Sequence, residues 1–389
     1  MKLSLIVPSF YPAVIYGGPV FSTLHTCQEL AKLDDMEIYV STTNTNMTSK
    51  LDVKTNKWQK FEDNFHVKYY DETKVDKFSL QLYLNVWKDI KMADVVHIQG
   101  IFNTPIPISL LFARIYNKPV LLSPRGALGN WCLENGSSFK TKWLNWFIKP
   151  FAYSIVWHAT AEQEKNEIHT IFPNAKVEIV SNGIAYDDFQ KFSKLSKKEF
   201  MRKYTHRELE TEKIIVSMGR IQRKKGFDIL IDTFVKIIEK YPLAKLLIAG
   251  QDEGEEKNLL KQISKLELED KVFLVGSIDT QNKIDFLANA DLFVLPSHNE
   301  NFGNVYVESL AAGTPIVAST GVPWQEVEEA DCGKWVKNNV EDTSNAMLEI
   351  LQKDRDKIRI NSKKLAKKYD WKNIVVQFKD LFERMTHEK

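Results

Sequence analysis

Short apolar runs alternate along this chain with longer stretches whose apolar residues recur every three to four positions. A first series of runs covers 3–10, 37–42, 94–100, 119–123, 154–160 and 176–183. Most are apolar at consecutive positions, the mark of strands covered on both faces. A second series, 213–220, 244–250, 271–277, 290–297 and 314–319, repeats the pattern, with amphipathic segments such as 226–241 between the runs. Buried strands separated by helices predict an α/β fold with parallel sheets. The restart predicts two doubly wound, Rossmann-like domains of similar size, residues 1–190 and 191–370, joined near the polar, Lys- and Glu-rich stretch 184–212.

Two regions depart from the pattern. Residues 43–60 are polar and aperiodic and read as an exposed, mobile loop. The tail 341–389 reads as helical and densely charged. Asp354 and Asp356 there spell a metal-binding Asp-x-Asp, but residues two apart on a helix point to different faces, so they read as solvated surface.

Composition narrows the class. A chain of 389 residues exceeds one ordinary core, and 43% hydrophobic with 27% charged residues is the balance of a globular protein. A net charge of +2 argues against a dedicated nucleic-acid binder. Cys27, Cys132 and Cys332 form neither a CxxC pair nor a zinc spacing and read as reduced thiols. The opening MKLSLIVPSF is interrupted by Pro8 and lacks a small-residue cleavage site, so it does not read as a signal peptide. No window approaches the roughly eighteen apolar residues of a spanning helix. The expectation is a cytoplasmic protein, able to lie against the inner face of a membrane.

In open parallel sheets ligands bind beyond the carboxyl ends of the strands, where loops lead into helix N-termini. The cleft between two such domains is therefore the expected site, and the residues after each run are the candidates. Gly17 and Gly18 precede a helix and leave bare backbone for an anionic or bulky ligand, or else make a simple tight turn. Neither GxGxxG nor GxxxxGK[ST] occurs, which removes the main supports for dinucleotide and P-loop chemistry. His97 ends a strand, with Asn103 and Thr104 following; it serves either structure or ligand. Arg125, in the turn SPRGALGNW, suits a phosphate or carboxylate.

The second half is richer. Arg220 follows a strand directly, and Lys225 with Gly226 opens a helix. A guanidinium and an ammonium at a helix N-terminus neutralise a diphosphate without a metal; a generic basic loop is the alternative. The stretch SHNENFGNVYVESLAAG sets Glu300 before a helix, Phe302, Gly303 and Asn304 at its start, and Glu308 inside it. Amides between two carboxylates match a nucleotide diphosphate bearing a polyol, and an unpaired carboxylate on a mostly apolar helix would be costly.

Together, Gly219 and Arg220, Lys225 and Gly226, and Glu300-x₇-Glu308 with Phe302 and Gly303 resemble the retaining glycosyltransferases of family 4, which have the GT-B architecture. The likeness includes the group acting in bacterial polysaccharide, lipopolysaccharide and O-antigen synthesis. It extends to ADVVHIQG, SPRGALGNW, VSNG and the closing YDWKNIVVQFKDLFERM, so it covers nearly the whole chain. The resemblance implies transfer of a hexose-type sugar, with retention, from a UDP- or GDP-sugar to a glycan or lipid-linked glycan, with no metal or other cofactor. It implies that Arg220 and Lys225 hold the diphosphate, Glu308 the ribose, and Glu300 the donor sugar, assisted by the backbone of Phe302, Gly303, Asn304 and Val305. The base would lie near Gly276, and Gly17 and Gly18 would approach the phosphates from the first domain.

On the acceptor side the resemblance puts His97, Asn103 and Arg125, with His97 counted beside Glu300, Arg220 and Lys225 as catalytic. The helix opening at Trp371 would cross back onto the first domain. Many members carry His where this chain has Arg125, so no general base is named. Front-face attack, with the leaving phosphate taking the acceptor proton, requires mainly positioning and charge neutralisation. A same-fold nucleotide-sugar epimerase and a non-catalytic sugar-nucleotide-binding protein are the alternatives.

Residues 113–160 carry six basic side chains against Glu134 alone, and hold Trp131, Trp143, Trp146 and Trp157, four of the chain's nine tryptophans. The segment 139–153, FKTKWLNWFIKPFAY, reads either as a basic aromatic helix lying on an anionic membrane or as core tryptophans with solvated lysines.

Overall fold

The computed structural model describes residues 1–73, 77–129, 132 and 139–387. The chain forms two compact units: Met1–Gly183 with Trp371–Lys389, and Ile184–Asp370. Trp131 and Glu134 lie outside the described residues.

The first unit contains β1 (Lys2–Ser9), β2 (Glu37–Thr43), the short hairpin β3 (Thr45–Asn46) and β4 (Ser49–Lys50), β5 (Gln59–Glu62), β6 (Phe65–Tyr70), β7 (Val95–Gln99), β8 (Val120–Ser123), β9 (Val156–Ala159) and β10 (Lys176–Ile179). Its main sheet runs β10-β9-β8-β7-β1-β2-β6-β5. All neighbours pair in parallel except β5, which runs antiparallel to β6 at the edge. Consecutive apolar residues make the inner strands buried on both faces: every residue of β7, β8 and β9 is buried.

Residues 43–60, expected to be an exposed loop, carry the β3–β4 hairpin and run into β5, which pairs with β6 at the sheet edge. Thr43, Asn44 and Thr45 are buried, their polar groups held by tertiary partners such as the Pro8 carbonyl, 2.8 Å from Thr43 Oγ1. The helix Trp371–His387 belongs to this unit. Its buried face, with Ile374, Phe378, Leu381 and Phe382, packs over His97 and His158, and Trp371 lies directly on Gly183, where a Cβ would meet its ring at 2.2 Å.

The second unit contains β11 (Ile214–Met218), β12 (Lys245–Ala249), β13 (Val272–Leu274), β14 (Leu292–Leu295), β15 (Ile316–Ser319) and β16 (Gly333–Val336). They form one parallel sheet in the order β13-β12-β11-β14-β15-β16. This is the doubly wound order, with its direction reversing between β11 and β14. In the first unit the reversal falls between β1 and β7. The stretch 184–212, expected to be a linker, is part of this unit's core. A capping box of Ser196 and Glu199 starts the helix Lys197–Thr205, and Phe189, Phe200 and Met201 are buried in the cluster. Asp354 is the N-cap of Arg355–Ala366, accepting from the Lys357 amide at 2.9 Å, which gives that carboxylate a structural task.

Candidate active site

The β11–β14 reversal decides which loops of the second unit meet. β11 ends at Met218, and the chain passes Gly219 and Arg220 into a short 3₁₀ turn, Arg223–Lys225, then through Gly226 into the helix Phe227–Lys240. Gly226 has φ +68°, and a Cβ there would lie 2.1 Å from the Pro296 carbonyl oxygen, so only glycine lets the two loops touch. β14 ends at Leu295 and leads through Ser297 and Glu300 to the helix Asn304–Ala311. The loops are laced together: the Lys224 carbonyl accepts from the His298 amide at 2.9 Å.

On this scaffold the Lys225 ammonium donates to the Glu300 carboxylate at 2.5 Å, with side chains 14% and 15% exposed. Ser297 Oγ donates to the same oxygen at 2.9 Å. Burial pushes the Glu300 carboxyl up, but the Lys225 ammonium and the Ser297 hydroxyl outweigh it and hold the group below the usual carboxylate range. Glu300 is therefore an ionised, preorganised acceptor at a helix N-terminus, beside a cation that an incoming anion can take over.

The other expected donor-side residues divide. Glu308 sits on the helix Asn304–Ala311 and pairs with Lys283 at 2.7 Å, both side chains largely covered. Arg220 pairs with Glu253 at 2.8 Å, half exposed. Gly303, φ +74°, is the N-cap, and a Cβ there would strike the Tyr306 ring. Gly276, φ +72°, has open space where a Cβ would stand. Val305 is partly buried against the core. Phe302 was expected to act through its backbone; its side chain is buried on Trp324 and Tyr369, and its carbonyl accepts from Trp324 Nε1 at 2.7 Å. It anchors the turn and presents no side chain to a ligand.

The first unit has its own concavity at the β1–β7 reversal, about 250 Å³, lined among others by Pro8, Gly100, Asn103 and Arg125. Gly17, φ +71°, caps the helix Gly18–Ala31, and neither it nor Gly18 has an atom of the described residues within 4 Å of where a Cβ would stand. His97 is a correction. It is fully buried on β7, its Nε2 sharing a hydrogen bond with Ser123 Oγ at 2.7 Å, and Ser123 shares another with His158 Nδ1 at 2.7 Å. Burial, with His158 and Arg125 nearby, holds its pKa well below the usual histidine range. A neutral imidazole under Phe378 and Phe382 braces the sheet against the last helix; it does not line the acceptor side. Sequence reasoning also missed Ser297 and Lys283, because neither partner is visible until β11, β14 and the helix Thr280–Ala288 are brought together.

Two doubly wound parallel-sheet units of this kind are the GT-B fold, the architecture of a large class of glycosyltransferases. HepE of Anabaena, solved in complex with UDP, superposes with a TM-score of 0.73 at 18% identity, covering 99% of this chain and 100% of that one. Residues 197–368, less than half of the chain, match the family model of glycosyl transferases group 1. The glycosyltransferase MJ1607 of Methanocaldococcus jannaschii is 32% identical over 228 residues, 56% of this chain and 57% of that protein. The mannosylfructose-phosphate synthase of Agrobacterium fabrum is 39% identical over 114 residues, 28% of this chain and 25% of that protein. The chain thus spans little more than half the length of the first of these relatives and a quarter of the second.

Proposed function

We propose that this protein is a retaining, family 4 glycosyltransferase that moves a hexose-type sugar from a UDP- or GDP-sugar to a glycan or lipid-linked glycan, without a metal. The observation that carries the reading is the Lys225–Glu300 pair at the β11–β14 reversal, within the segment matched by the glycosyl transferases group 1 model. A donor diphosphate takes over the Lys225 ammonium and the amides opening Asn304–Ala311, with Arg220 turning in from Glu253. Glu300, released from Lys225, accepts hydrogen bonds from the sugar hydroxyls, and Glu308 from the ribose. As the sugar–phosphate bond breaks, Lys225 and Arg220 neutralise the leaving diphosphate, and that oxygen takes the proton of the attacking hydroxyl on the same face.

The roles separate experimentally. A nucleoside diphosphate among UDP, GDP and ADP should raise the melting temperature of the wild type. Glu308→Ala should weaken that nucleotide roughly tenfold or more, as for a lost charged hydrogen bond. Glu300→Ala should leave nucleotide affinity nearly unchanged and lower kcat by roughly 10²–10³. Indistinguishable effects of the two would refute the assignment, and release of nucleoside diphosphate from no sugar nucleotide would remove the transferase.

A membrane-borne acceptor has its own support. Leu144 and Ile148 are buried, whereas Phe139, Trp146, Phe147 and Tyr153 are exposed beside the exposed Lys142 and Lys149. Among the described residues no helix is long and apolar enough to cross a membrane. An apolar patch with a basic rim fits a peripheral position on an anionic leaflet, such as the cytoplasmic face of an inner membrane. The protein should co-sediment with phosphatidylglycerol vesicles at low salt, less so at high salt or as Trp146→Ala. Absence from the pellet at every salt concentration would exclude this surface.

A further inference from the structure

Among the described residues, Arg125 is the one ionisable residue lining the first unit's cavity, and no carboxylate lines it. Its placement is deliberate in energetic terms: it occupies the left-handed region at φ +58°, where side chains other than glycine and asparagine are disfavoured. Its Nη1 donates to Asn182 Oδ1 at 3.1 Å, while its Nε is buried with no acceptor. Glu164, whose field acts on Arg125, already receives the Gly126 amide at 2.7 Å on one oxygen and the Thr160 amide at 2.8 Å and hydroxyl at 3.0 Å on the other.

A second donor converges on the same space. Gln99 is 2% exposed at the end of β7 and lines the cavity. Its Oε1 accepts from Thr23 Oγ1 at 2.7 Å, and its Nε2 is buried with no partner. Two buried donors in one cavity that no described protein group satisfies favour an acceptor that fills it. The helices Gly18–Ala31 and Pro105–Ile115 both begin at its wall, where Pro19 and Asn103 line it, and their positive ends add to the field.

We propose that this cavity is an anion receptor: the Arg125 guanidinium and the Gln99 amide hold a phosphate or carboxylate carried by the acceptor. Calling the ligand an acceptor rests on the transferase reading; the anion site itself does not. The cavity, about 250 Å³, is smaller than the roughly 300–1,000 Å³ of a site enclosing a whole drug-sized ligand, so it takes a terminal charged group while the rest of the molecule stays outside.

Calorimetric titration of the full chain with glucose 6-phosphate, glucuronate and glucose tests this. At least one of the two anions should bind tenfold or more tighter than glucose, and the better one identifies the group as phosphate or carboxylate. Arg125→Gln should erase that advantage, Arg125→Lys should retain part of it, and Gln99→Leu should reduce it. Arg220→Gln should leave it intact, since that residue lies in the other unit's loops. Equal binding of the three sugars, an advantage surviving Arg125→Gln, or one abolished by Arg220→Gln would overturn the proposal. Circular dichroism establishes that the Gln variant is folded; should it not be, Arg125→Lys carries the test, and undiminished anion binding in it together with Gln99→Leu would overturn the site. A protein that binds the anion through Arg125 but no nucleoside diphosphate would sink the transferase reading and leave this one standing.

Discussion

Replacing Lys225 by Met is expected to lower kcat/KM for sugar transfer by roughly 10²–10³ and to destabilise the unit Ile184–Asp370 by about 2–3 kcal/mol. Both losses come from the same contact. The ammonium lies 2.5 Å from Glu300, and both side chains are largely covered. Without it the diphosphate of the proposed donor would lose a positive partner, and a buried carboxylate loses its counter-charge. The pH dependence carries the signature. In the wild type Glu300's carboxyl lies below its unfolded value near 4.3, so its contribution to stability is present above that pH and is lost as pH falls through the folded pKa. In Lys225→Met the desolvation that burial imposes is left largely unopposed, the folded pKa rises above the unfolded one, and the ionised carboxylate is a burden at neutral pH. The stability gap between the two proteins should therefore be widest near pH 7 and shrink toward pH 4 in guanidinium titrations. A gap of equal size at both pH values, or wild-type turnover, would contradict the assignment.

Gly226→Ala, although it adds one methyl group, should damage the same site from the backbone. The position needs φ +68°, which costs a non-glycine residue roughly 1–2 kcal/mol, and the added Cβ would press on the Pro296 carbonyl at 2.1 Å. Together these should remove about 3 kcal/mol, a drop of roughly 6–12 °C in the melting transition of a unit this size. The relief of that clash separates the loop bearing Lys225 from the loop bearing Ser297 and Glu300, so turnover should fall with stability even at temperatures where the variant is folded. Differential scanning calorimetry and steady-state assays at 15 °C measure the two effects. A variant that melts with the wild type would mean that the loops do not touch as described.

The strands were legible because a strand buried on both faces leaves consecutive apolar letters: all five residues of Lys245–Ala249 are buried, as are all four of Leu292–Leu295. The strands of the two main sheets that were missed, Gln59–Glu62, Phe65–Tyr70 and Gly333–Val336, lie at or beside sheet edges and include polar or half-exposed residues that break the run. The stretch 184–212 misled for a related reason. Its few apolar anchors, Phe189, Phe200 and Met201, are spaced among lysines and glutamates, and their burial depends on a surface supplied by Phe286 and its neighbours.

The site shows the same division. Residue type and order alone determined that glycines, a lysine and Glu300 would stand at helix starts after buried strands, with Glu308 inside the helix that follows, because the chemistry of turns and helix caps is local. Which of them meet was decided only by the sheet order. The reversal between β11 and β14 sets Lys225 against Glu300, 75 residues apart in the chain, and leaves Arg220 to Glu253. Packing of the last helix over β7 turned His97 from a candidate ligand into a neutral, fully buried brace, and the fold around β1 and β7 gave Arg125 a cavity lined by no acid among the described residues. Local sequence carries propensity and charge; burial and partnership between distant residues are properties of the assembled sheets, and they set whether a charge is solvent, scaffold or site.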